Sequence, residues 1–426
     1  MKYSEALKYL YTQLPMYQRQ GKSAFKKDLK NILALLDVFG HPQNAFKAIH
    51  IAGTNGKGTV SHLMAGFLHS QGQKVGLYSS PHYLDFRERI KVDGNLCDRS
   101  YVTAFTARLK QMDLSFSPSF FEITVAMAFC YFKEKKVDVA VIETGLGGRL
   151  DSTNVLNPIL SIITNISLDH THMLGDTLPA IAAEKAGIIK KGIPVVIGEY
   201  QEEVASVFAQ KAQSENADLT YAEKVVTYKK EKIYHKDGRL LLQNRAKMAG
   251  PFHDKNFLTA TAAMAVLEHS SFYVNWKVID DFLPSLVSQW KYIGRCQWLS
   301  EDPLTLVDSA HNEGGLTEMM DFLEQKNFNK IHFVLGFVND KDLTQILPLF
   351  PRKGNYYFAK AKIPRGLDAS SLQHTASEFG LHGNAYTSVR KAYAAARVKY
   401  KKGELIYIGG SIFTVSEVLN HSIANV

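Results

Sequence analysis

Apolar residues form two alternating patterns in the first half of the chain. Short, almost uninterrupted apolar runs predict buried strands at residues 48–52, 74–79, 137–143, 159–164 and 193–197. Between them, apolar positions three and four residues apart predict helices, of which residues 60–71 and 121–133 are the clearest. Buried strands that alternate with helices are typical of a parallel sheet covered on both faces. We therefore expect an α/β fold with a doubly wound, mostly parallel sheet.

The residues around this series show other patterns. Two amphipathic helices are predicted before it, over residues 3–14 and 25–39. Residues 225–243 alternate between β-type residues on either side of a glycine-containing turn, which predicts a small antiparallel hairpin. Helices over residues 254–269 and 277–290 are expected to complete this part of the chain.

A second series of strands and helices begins near residue 304. Its predicted strands cover residues 304–308, 331–336, 356–361 and 405–408, and its predicted helices cover residues 314–325, 370–379 and 389–400. This series is long enough to form a C-terminal, Rossmann-like α/β domain of its own. We therefore predict a first domain over residues 1–291, a hinge over residues 292–299 and a second domain over residues 300–426.

Composition narrows the class of protein only a little. A length of 426 residues with 46% hydrophobic and 21% charged residues is ordinary for a soluble protein of two domains. Cys97, Cys130 and Cys296 lack the spacing of a metal site or a disulfide framework. No apolar run approaches the roughly 20 residues of a membrane span, and the first residues lack a signal-peptide core. We expect a cytoplasmic protein with no membrane partner.

The net charge of +9 is moderate for this length. No RNA- or DNA-binding motif surrounds the basic stretches at residues 22–30 and 228–236, so we interpret them as solvated faces and expect no nucleic-acid partner. A surplus of positive charge would also attract small anions such as nucleotide phosphates and carboxylates.

The first predicted strand leads into a glycine-rich loop and then a helix. The loop reads Gly53-Thr54-Asn55-Gly56-Lys57-Gly58-Thr59. Glycines let backbone N–H groups approach phosphate oxygens, the helix N-terminus is the positive end of the helix dipole, and Lys57 adds a full charge. The pattern departs from a strict Walker A motif because Gly58 separates Lys57 from Thr59. It favours a nucleotide-phosphate site over the glycine-rich turn of some other doubly wound domain.

Three further polar residues lie at or just beyond the ends of predicted strands. These residues are Ser80, Glu143 and His170. In parallel sheets, ligands bind at the carboxyl ends of the strands. The sequence therefore predicts that these side chains and the loop meet at one edge of one sheet.

Taken together, the motifs resemble those of the folylpolyglutamate synthase/dihydrofolate synthase family of the Mur ligase superfamily, over nearly the whole chain. The motifs that carry the resemblance are Ala52-Gly53-Thr54-Asn55-Gly56-Lys57-Gly58-Thr59, Ser79-Ser80-Pro81-His82, Glu88-Arg89-Ile90, Glu143-Thr144-Gly145-Leu146-Gly147-Gly148-Arg149-Leu150-Asp151-Ser152-Thr153-Asn154, Leu168-Asp169-His170, Glu184-Lys185-Ala186-Gly187-Ile188-Ile189-Lys190, Gly294-Arg295 and Asp308-Ser309-Ala310-His311-Asn312. Each alone is weak, but so many in this order are highly specific.

The resemblance implies an ATP-dependent amide ligase with an ATP-binding first domain and a glutamate-ligase second domain. A folate carboxylate would attack the γ-phosphate of ATP to give an acyl phosphate, and the amino group of L-glutamate would then displace phosphate. Such a reaction depends on positioning and on charge stabilisation, because both the carboxylate and the phosphate are anions.

The resemblance also implies the catalytic and metal-binding residues. Lys57 would hold the β- and γ-phosphates, and Ser80 and Glu143 would bind a first Mg²⁺. His170 would bind a second Mg²⁺ shared with Glu143, although residue chemistry alone favours a substrate-contacting histidine, since Mg²⁺ prefers oxygen. Lys185 would carry a carbamate near the second ion, whereas without the resemblance it would be an ordinary solvated helix lysine.

Further roles follow from the resemblance for residues in both domains. Asn256 would contact adenine, Arg295 a phosphate and Asp308 the ribose; the less favoured alternative is that Asn256 caps a turn and Asp308 caps a strand end. The residues expected to bind the pterin or pteroate are Ser119, Phe121, Asp151 and Ser152, of which Phe121 by itself would more often be a core residue. His311 and Ser411 are candidates for binding the incoming glutamate.

The chain departs from the family pattern at a few positions. The residues that differ are Asp85, in place of an arginine found in some relatives, His253 in place of Gln, Gln297 in place of Glu and Glu313 in place of Pro. They affect the expected adenine, glutamate and pterin contacts. None of them removes a metal or phosphate ligand.

Two other functions are alternatives to this one. A Mur-type ligase acting on a different carboxylate, such as a UDP-linked one, would need a nucleotide-sugar domain before the loop, for which 52 residues are too few. An ATP-driven conformational switch would bind nucleotide without ligation. The sequence leaves open whether the acceptor is dihydropteroate, a folylpolyglutamate or both, and we expect a monomer.

Overall fold

The computed structural model describes residues 1–12, 14, 28–270 and 272–422. The ends of the two predicted N-terminal helices that fall on residues 13 and 25–27 lie outside the described residues. The chain forms two compact units, one of residues 1–247 and 254–291 and the other of residues 248–253 and 292–426. Residues 248–253 thus group with the second unit, although they lie within the range predicted for the first domain.

The first unit is built around an eight-stranded sheet. Its strands are β1 (Lys47–Ala52), β2 (Val75–Tyr78), β3 (Ile90–Val92), β4 (Asn95–Leu96), β5 (Val139–Glu143), β6 (Leu160–Ile163), β7 (Val195–Ile197) and β8 (Leu219–Tyr221), in the order β4-β3-β2-β5-β1-β6-β7-β8. The pairs from β2 to β8 are parallel, and β3 and β4 add an antiparallel edge. The predicted mostly parallel sheet is therefore confirmed.

Helices cover this sheet and extend the unit. They are α1 (Tyr3–Thr12), α2 (Lys30–Val38), α3 (Lys57–Ser70), α4 (Arg99–Gln111), α5 (Phe120–Glu134), α6 (Thr171–Leu174), α7 (Leu178–Ala186), α8 (Glu202–Ser214), α9 (Ala222–Val225), α10 (His253–His269) and α11 (Trp276–Gln289). A small antiparallel sheet of β9 (Val226–Lys229), β10 (Lys232–His235) and β11 (Leu240–Leu242) stands where a hairpin was predicted.

Helix α3, which follows the glycine-rich loop, is enclosed over most of its length. Ten consecutive residues, from Thr59 to Leu68, are buried, because the helix packs on β2 and β5 on one side and on α11 on the other. A side chain at Gly66 would collide with Leu286 and Phe282 of α11. The close packing of two helices at this glycine therefore fixes the helix that begins at the loop.

The second unit contains a six-stranded sheet with helices. Its strands are β12 (Gln297–Glu301), β13 (Leu304–Val307), β14 (Ile331–Leu335), β15 (Asn355–Ala359), β16 (Gly383–Tyr386) and β17 (Leu405–Gly409), in the order β12-β13-β17-β14-β15-β16. The helices are α12 (Glu313–Gln325), α13 (Leu343–Ile346), α14 (Ala369–Glu378), α15 (Val389–Lys399) and α16 (Ile412–Ser422). All pairs except β12–β13 are parallel, as expected for a Rossmann-like domain.

Within residues 1–12, 28–270 and 272–422, no helix combines the length and the apolar character needed to span a membrane.

Candidate active site

The glycine-rich loop connects β1 to α3 through two glycines with positive φ. Gly53 has φ +143° and Gly56 has φ +83°, conformations that L side chains rarely adopt. A β-carbon at Gly53 would collide with the hydroxyl of Thr164, and one at Gly56 would collide with the amide of Asn256. These two glycines are therefore required by both backbone conformation and space. The same contact places Asn256, the predicted adenine-binding residue, beside the loop.

Residues just beyond β6 hold the loop in place. The backbone N–H of Thr54 donates to the carbonyl oxygen of Asn165 at 2.8 Å, and that of Asn55 donates to Asn165 Oδ1 at 3.0 Å. The Thr164 hydroxyl donates to the Asn55 carbonyl oxygen at 2.5 Å. The loop is thus fastened to the next strand of the sheet before any ligand contributes.

Lys57 lies over the loop that precedes it. Its ammonium donates to the carbonyl oxygens of Gly53 and Thr54, each at 3.0 Å. Thr59, two residues further along, is buried in the first turn of α3. A full positive charge and the N-terminus of a long helix therefore lie at one point, which is the arrangement that binds phosphate groups.

Glu143 lies at the carboxyl end of β5, between the strands that lead to the loop and to Ser80. Its carboxylate is buried, and Oε2 accepts the backbone N–H of Ser80 at 3.2 Å. A β-carbon at Gly58 would lie 3.6 Å from each carboxylate oxygen. The structure thus brings together Ser80, Glu143 and the loop, as the sheet order predicts.

Lys185 also lies in this cluster, although residue chemistry alone predicts a solvated helix lysine. It lies in the last turn of α7, is only 3% exposed, and its ammonium donates to the Gly53 carbonyl oxygen at 2.8 Å. Burial, followed by repulsion from Lys57, lowers the pKa of Lys185 to about 7. The neutral amine therefore predominates above about pH 7 and the ammonium below it.

His170 begins the short helix α6 with a left-handed conformation of φ 50°. Its backbone N–H donates to Asp169 Oδ1 at 2.8 Å, and its Nε2 lies 3.8 Å from Asp169 Oδ2. Among the residues that the structure describes, no three His, Cys, Asp or Glu side chains form a group that could hold a metal ion. The predicted ligands contain only two residues of these types, Glu143 and His170, so a metal would also need oxygens from elsewhere.

Asp151, one of the predicted substrate-binding residues, is bonded to the local backbone. Asp151 is buried; Oδ2 accepts the N–H groups of Gly145 and Leu146 at 2.8 Å each, and Oδ1 accepts the N–H and hydroxyl of Thr153 at 3.0 and 2.5 Å. Burial raises the pKa of Asp151, while these hydrogen bonds lower it. Asp151 therefore fixes the turn that follows Glu143.

Ser119 and Phe121 lie at the start of α5. Ser119 is its N-cap, and its hydroxyl accepts the N–H of Glu122 at 3.2 Å while the Glu122 carboxylate accepts the Ser119 N–H at 2.6 Å. The Phe121 ring is partly exposed and packs against Gly145, where no larger residue would fit. Ser152, also partly exposed, follows Asp151 directly. An aromatic face thus lies beside the turn that Asp151 supports.

In the second unit, Asp308 follows β13 and is almost completely buried. Its Oδ2 accepts the N–H of Cys296 and its Oδ1 accepts the N–H of Ala310, at 2.8 and 2.7 Å. Burial raises the pKa of Asp308, and the positive charge of Arg295 opposes that shift. Asp308 thus fixes the backbone next to Arg295.

His311 and Ser411 follow two adjacent strands, β13 and β17. His311 Nδ1 lies 2.9 Å from the Ser309 carbonyl oxygen, which requires Nδ1 to carry the proton. The Ser411 hydroxyl lies 2.8 Å from that of Thr414, which in turn donates to the Gly336 carbonyl oxygen at 2.7 Å. Both residues therefore lie on the carboxyl edge of the second sheet, where ligands of such sheets bind.

Comparison with known proteins places the chain in a family. Residues 51–264 match the model of the Mur ligase middle domain, and residues 294–412 match that of the Mur ligase, glutamate ligase domain. The folylpolyglutamate synthase of Lacticaseibacillus casei is 33% identical over 80% of this chain and 81% of its own length. The chain belongs to the folylpolyglutamate synthase/dihydrofolate synthase family. Members of this family are ligases that form carbon–nitrogen bonds, so the predicted enzyme class is confirmed.

Solved structures give the same result over the full length. The structure of Escherichia coli FolC in complex with DHPP and ADP aligns with a TM-score of 0.85 and 28% identity, over 100% of this chain and 98% of the other. A bifunctional folylpolyglutamate synthase/dihydrofolate synthase with Mn, AMPPNP and L-glutamate bound aligns with a TM-score of 0.84 and 27% identity, over 99% and 98%. The family likeness therefore covers both units.

Sequence reasoning missed the residues that hold this ligase's loop. Thr164 and Asn165 carry the contacts described above, and Gln201 supports them by accepting the N–H of Ile166 at 2.8 Å. The only available signal was the position of Thr164 and Asn165 at the end of a predicted strand. Their partners on the loop are more than 100 residues away in sequence, so the pairing follows from the sheet order.

We predict that Asp151→Asn destabilises the first unit by about 2 kcal/mol, because an amide presents one N–H₂ group to a backbone N–H that needs an acceptor. Urea-induced unfolding followed by circular dichroism measures this loss. The neighbouring change Ser152→Ala is the matched control and should alter stability by less than about 0.5 kcal/mol.

A different pair of results would contradict this role for Asp151. If Asp151→Asn unfolded at the same urea concentration as the wild type while the KM for the folate substrate rose, Asp151 would contact the substrate directly. That is the role that the resemblance in sequence implies.

Proposed function

We propose that this chain couples ATP hydrolysis to the attachment of L-glutamate to dihydropteroate, to folylpolyglutamates, or to both, through an acyl-phosphate intermediate. The observation that carries the proposal is the gathering of Lys57, Lys185 and Glu143 around a glycine-rich loop at the start of a buried helix. The two aligned structures support it, since those proteins bind AMPPNP, Mn and L-glutamate, or ADP and DHPP.

The reaction would have two steps. A carboxylate oxygen of the folate attacks the γ-phosphorus of ATP; the new P–O bond gives the acyl phosphate, and the bond to ADP breaks. The uncharged amino group of L-glutamate then attacks the acyl carbon. An amide bond forms, inorganic phosphate leaves with the electron pair of the C–O bond, and the nitrogen loses a proton. The first step brings two anions together, and the second step depends on a weak nucleophile. Positioning and positive charge therefore lower the barrier.

The residues at the loop fit these requirements. Lys57 and the N-terminus of α3 would hold the β- and γ-phosphates, and Asn256, which packs on Gly56, would contact the adenine. Glu143 is a buried carboxylate next to the loop, and the hydroxyl of Ser80 is available on the adjacent strand end. Such oxygen ligands suit Mg²⁺, which would neutralise charge on the phosphates when bound.

The second unit would supply the remaining contacts. We assign Arg295 to a phosphate, Asp308 to the ribose, and His311 and Ser411 to the incoming glutamate. The support is their position after the carboxyl ends of β13 and β17, or immediately before β12, in a domain whose family model is named for glutamate ligation. Asp308 keeps acceptor capacity while it holds the N–H groups of its neighbours, because each carboxylate oxygen has two lone pairs.

A carbamate on Lys185 would resolve an electrostatic conflict in the site. Two ammonium groups, those of Lys57 and Lys185, share the Gly53 carbonyl oxygen, and burial, followed by repulsion between them, lowers the pKa of Lys185. The ammonium first loses a proton, and the neutral amine then reacts with CO₂ to form an N–C bond and release a second proton, so that an anion replaces a cation. With His170, that anion would provide the oxygen ligand of a second Mg²⁺.

Phosphate release tests the proposed function directly. We expect the purified chain to release phosphate from ATP only when a folate acceptor and L-glutamate are both present, with dihydropteroate and a folylmonoglutamate assayed side by side. Phosphate release with ATP alone, or with a folate but unaffected by glutamate, would favour the ATP-driven switch instead.

Lys57→Ala should reduce the rate of ligation by roughly two to three orders of magnitude, the usual cost of one lost charge-stabilising group. The fold should persist, because the loop is fastened by Asn165 and Thr164 independently of Lys57. Lys47→Ala is the control, since Lys47 is an exposed lysine at the other end of β1. Ligation at the wild-type rate by folded Lys57→Ala would show that this loop is not part of the active site.

Carbamylation of Lys185 should increase from pH 6 to pH 8 at constant dissolved CO₂, because the pKa of Lys185 is lowered to about 7 and only the neutral amine reacts. Carbon-13 NMR with labelled bicarbonate measures the carbamate without denaturing the protein. In Lys57→Ala the transition should move to higher pH, because one cause of the lowered pKa is gone. An exposed lysine such as Lys47 provides the unreacted reference.

Rescue of a Lys185 variant gives an independent measurement. Lys185→Ala should be nearly inactive and partly restored by acetate, which supplies the missing carboxylate oxygens. A labelled carbamate that never forms on active enzyme, together with no response of Lys185→Ala to acetate, would contradict the assignment.

A further inference from the structure

Lys91 is a buried lysine outside the set of residues assigned above. It lies on β3, is 2% exposed, and its ammonium has three partners. It donates to the carbonyl oxygens of Trp290 at 2.7 Å and Lys291 at 3.4 Å, and it lies 3.1 Å from Nε2 of His62. An ammonium has three protons to donate, and these three acceptors account for all of them.

The partners of His62 determine its proton arrangement. Its Nδ1 lies 2.7 Å from the carbonyl oxygen of Gly58, and a carbonyl oxygen only accepts, so Nδ1 carries the proton. Nε2 is then the lone-pair nitrogen that accepts from the Lys91 ammonium. The chain of donors therefore runs in one direction, from Lys91 through a neutral His62 to Gly58.

The two ends of this chain lie at different parts of the first unit. Gly58 belongs to the glycine-rich loop and lies against the carboxylate of Glu143. Trp290 and Lys291 follow the last residue of α11, where the helix dipole leaves partial negative charge on the final carbonyl groups. A cation is stabilised at that position, and here it is also joined to the turn in which the loop becomes a helix.

We propose that Lys91 and His62 are positioning residues for nucleotide binding, which fix the Gly58 turn of the loop against the C-terminal end of α11. The proposal rests on the proposed function, since it takes the loop to bind ATP. Neither residue would contact the nucleotide. They would act through Gly58, whose N–H and carbonyl groups must keep their orientation for the loop to receive phosphates.

Electrostatics favour this role over simple packing. A buried ammonium costs free energy unless it is well solvated by the protein, and an apolar residue of similar size would avoid that cost. Burial lowers the pKa of Lys91 to about 8, with Glu88 opposing the shift and Lys291 adding to it. The chain thus retains a charge that is expensive to bury at a place where its hydrogen bonds orient two backbone carbonyl groups directly and, through His62, a third.

Nucleotide affinity of the full-length chain tests the proposal. Titration calorimetry with AMPPNP and Mg²⁺ should show that Lys91→Met raises the Kd about tenfold, because the variant loses the charged hydrogen bond to His62 that connects Lys91 to the loop. The KM for L-glutamate should change less than about twofold, since the variant alters only the loop side of the site.

Gln71→Ala is a matched structural control. Gln71 follows α3 and accepts the N–H of Asn275 at 2.6 Å, so it joins the same two helices, α3 and α11, at their opposite ends. We expect this variant to lower the melting temperature but to leave the Kd for AMPPNP unchanged. A loss of affinity equal to that of Lys91→Met would mean that general loosening of the helix pair explains both, and the proposal would fail.

Two variants of His62 keep the test decisive if Lys91→Met does not fold. His62→Leu removes both hydrogen bonds, whereas in His62→Asn the side-chain amide can still donate to the Gly58 carbonyl oxygen. We expect weaker AMPPNP binding by His62→Leu and partial recovery by His62→Asn. Wild-type affinity in His62→Leu would overturn the positioning role, while failure of the wild type to bind AMPPNP would instead overturn the proposed function.

Discussion

One carbonyl oxygen, that of Gly53, accepts hydrogen bonds from the ammonium groups of Lys57 and Lys185. Two like charges at a buried point repel each other, and the surrounding protein can accommodate them only with compensating negative charge or by loss of a proton. Asp169 and Asp151 supply negative charge that opposes the repulsion, while burial, followed by the charge of Lys57, lowers the pKa of Lys185. The site is thus prepared for anionic ligands before any are bound.

The order of the strands explains why so few residues suffice to build this site. β5 lies between β1 and β2, so the end of β5 places Glu143 next to both the loop that follows β1 and Ser80, which follows β2. On the other side, β6 adjoins β1, and Asn165 beyond its end holds the loop. Parallel pairing aligns all these strand ends on one edge, which is where doubly wound sheets bind ligands.

Several polar residues near this edge orient neighbouring backbone groups. Asp151 holds the turn after Glu143, Ser119 caps α5, and His62 holds the Gly58 turn. A reaction between two anions requires cations and hydrogen-bond donors at fixed positions, and hydrogen bonds such as these keep the surrounding backbone in place. Members of the folylpolyglutamate synthase/dihydrofolate synthase family form carbon–nitrogen bonds, and these hydrogen bonds would position the groups that such a reaction needs.

The sequence by itself determined the fold class, the glycine-rich loop and the family, because apolar periodicity and short motifs are local properties that survive in the linear order of residues. The burial of Lys185 was decided only by tertiary structure: in sequence it is a helix lysine, and it becomes a perturbed amine because α7 packs its last turn against Gly53. The same holds for Lys91 and His62, which are 29 residues apart and carry no motif. Lys91 and His62 come into contact because β3 pairs with β2 and α3 packs on the sheet. No local sequence pattern predicts either arrangement.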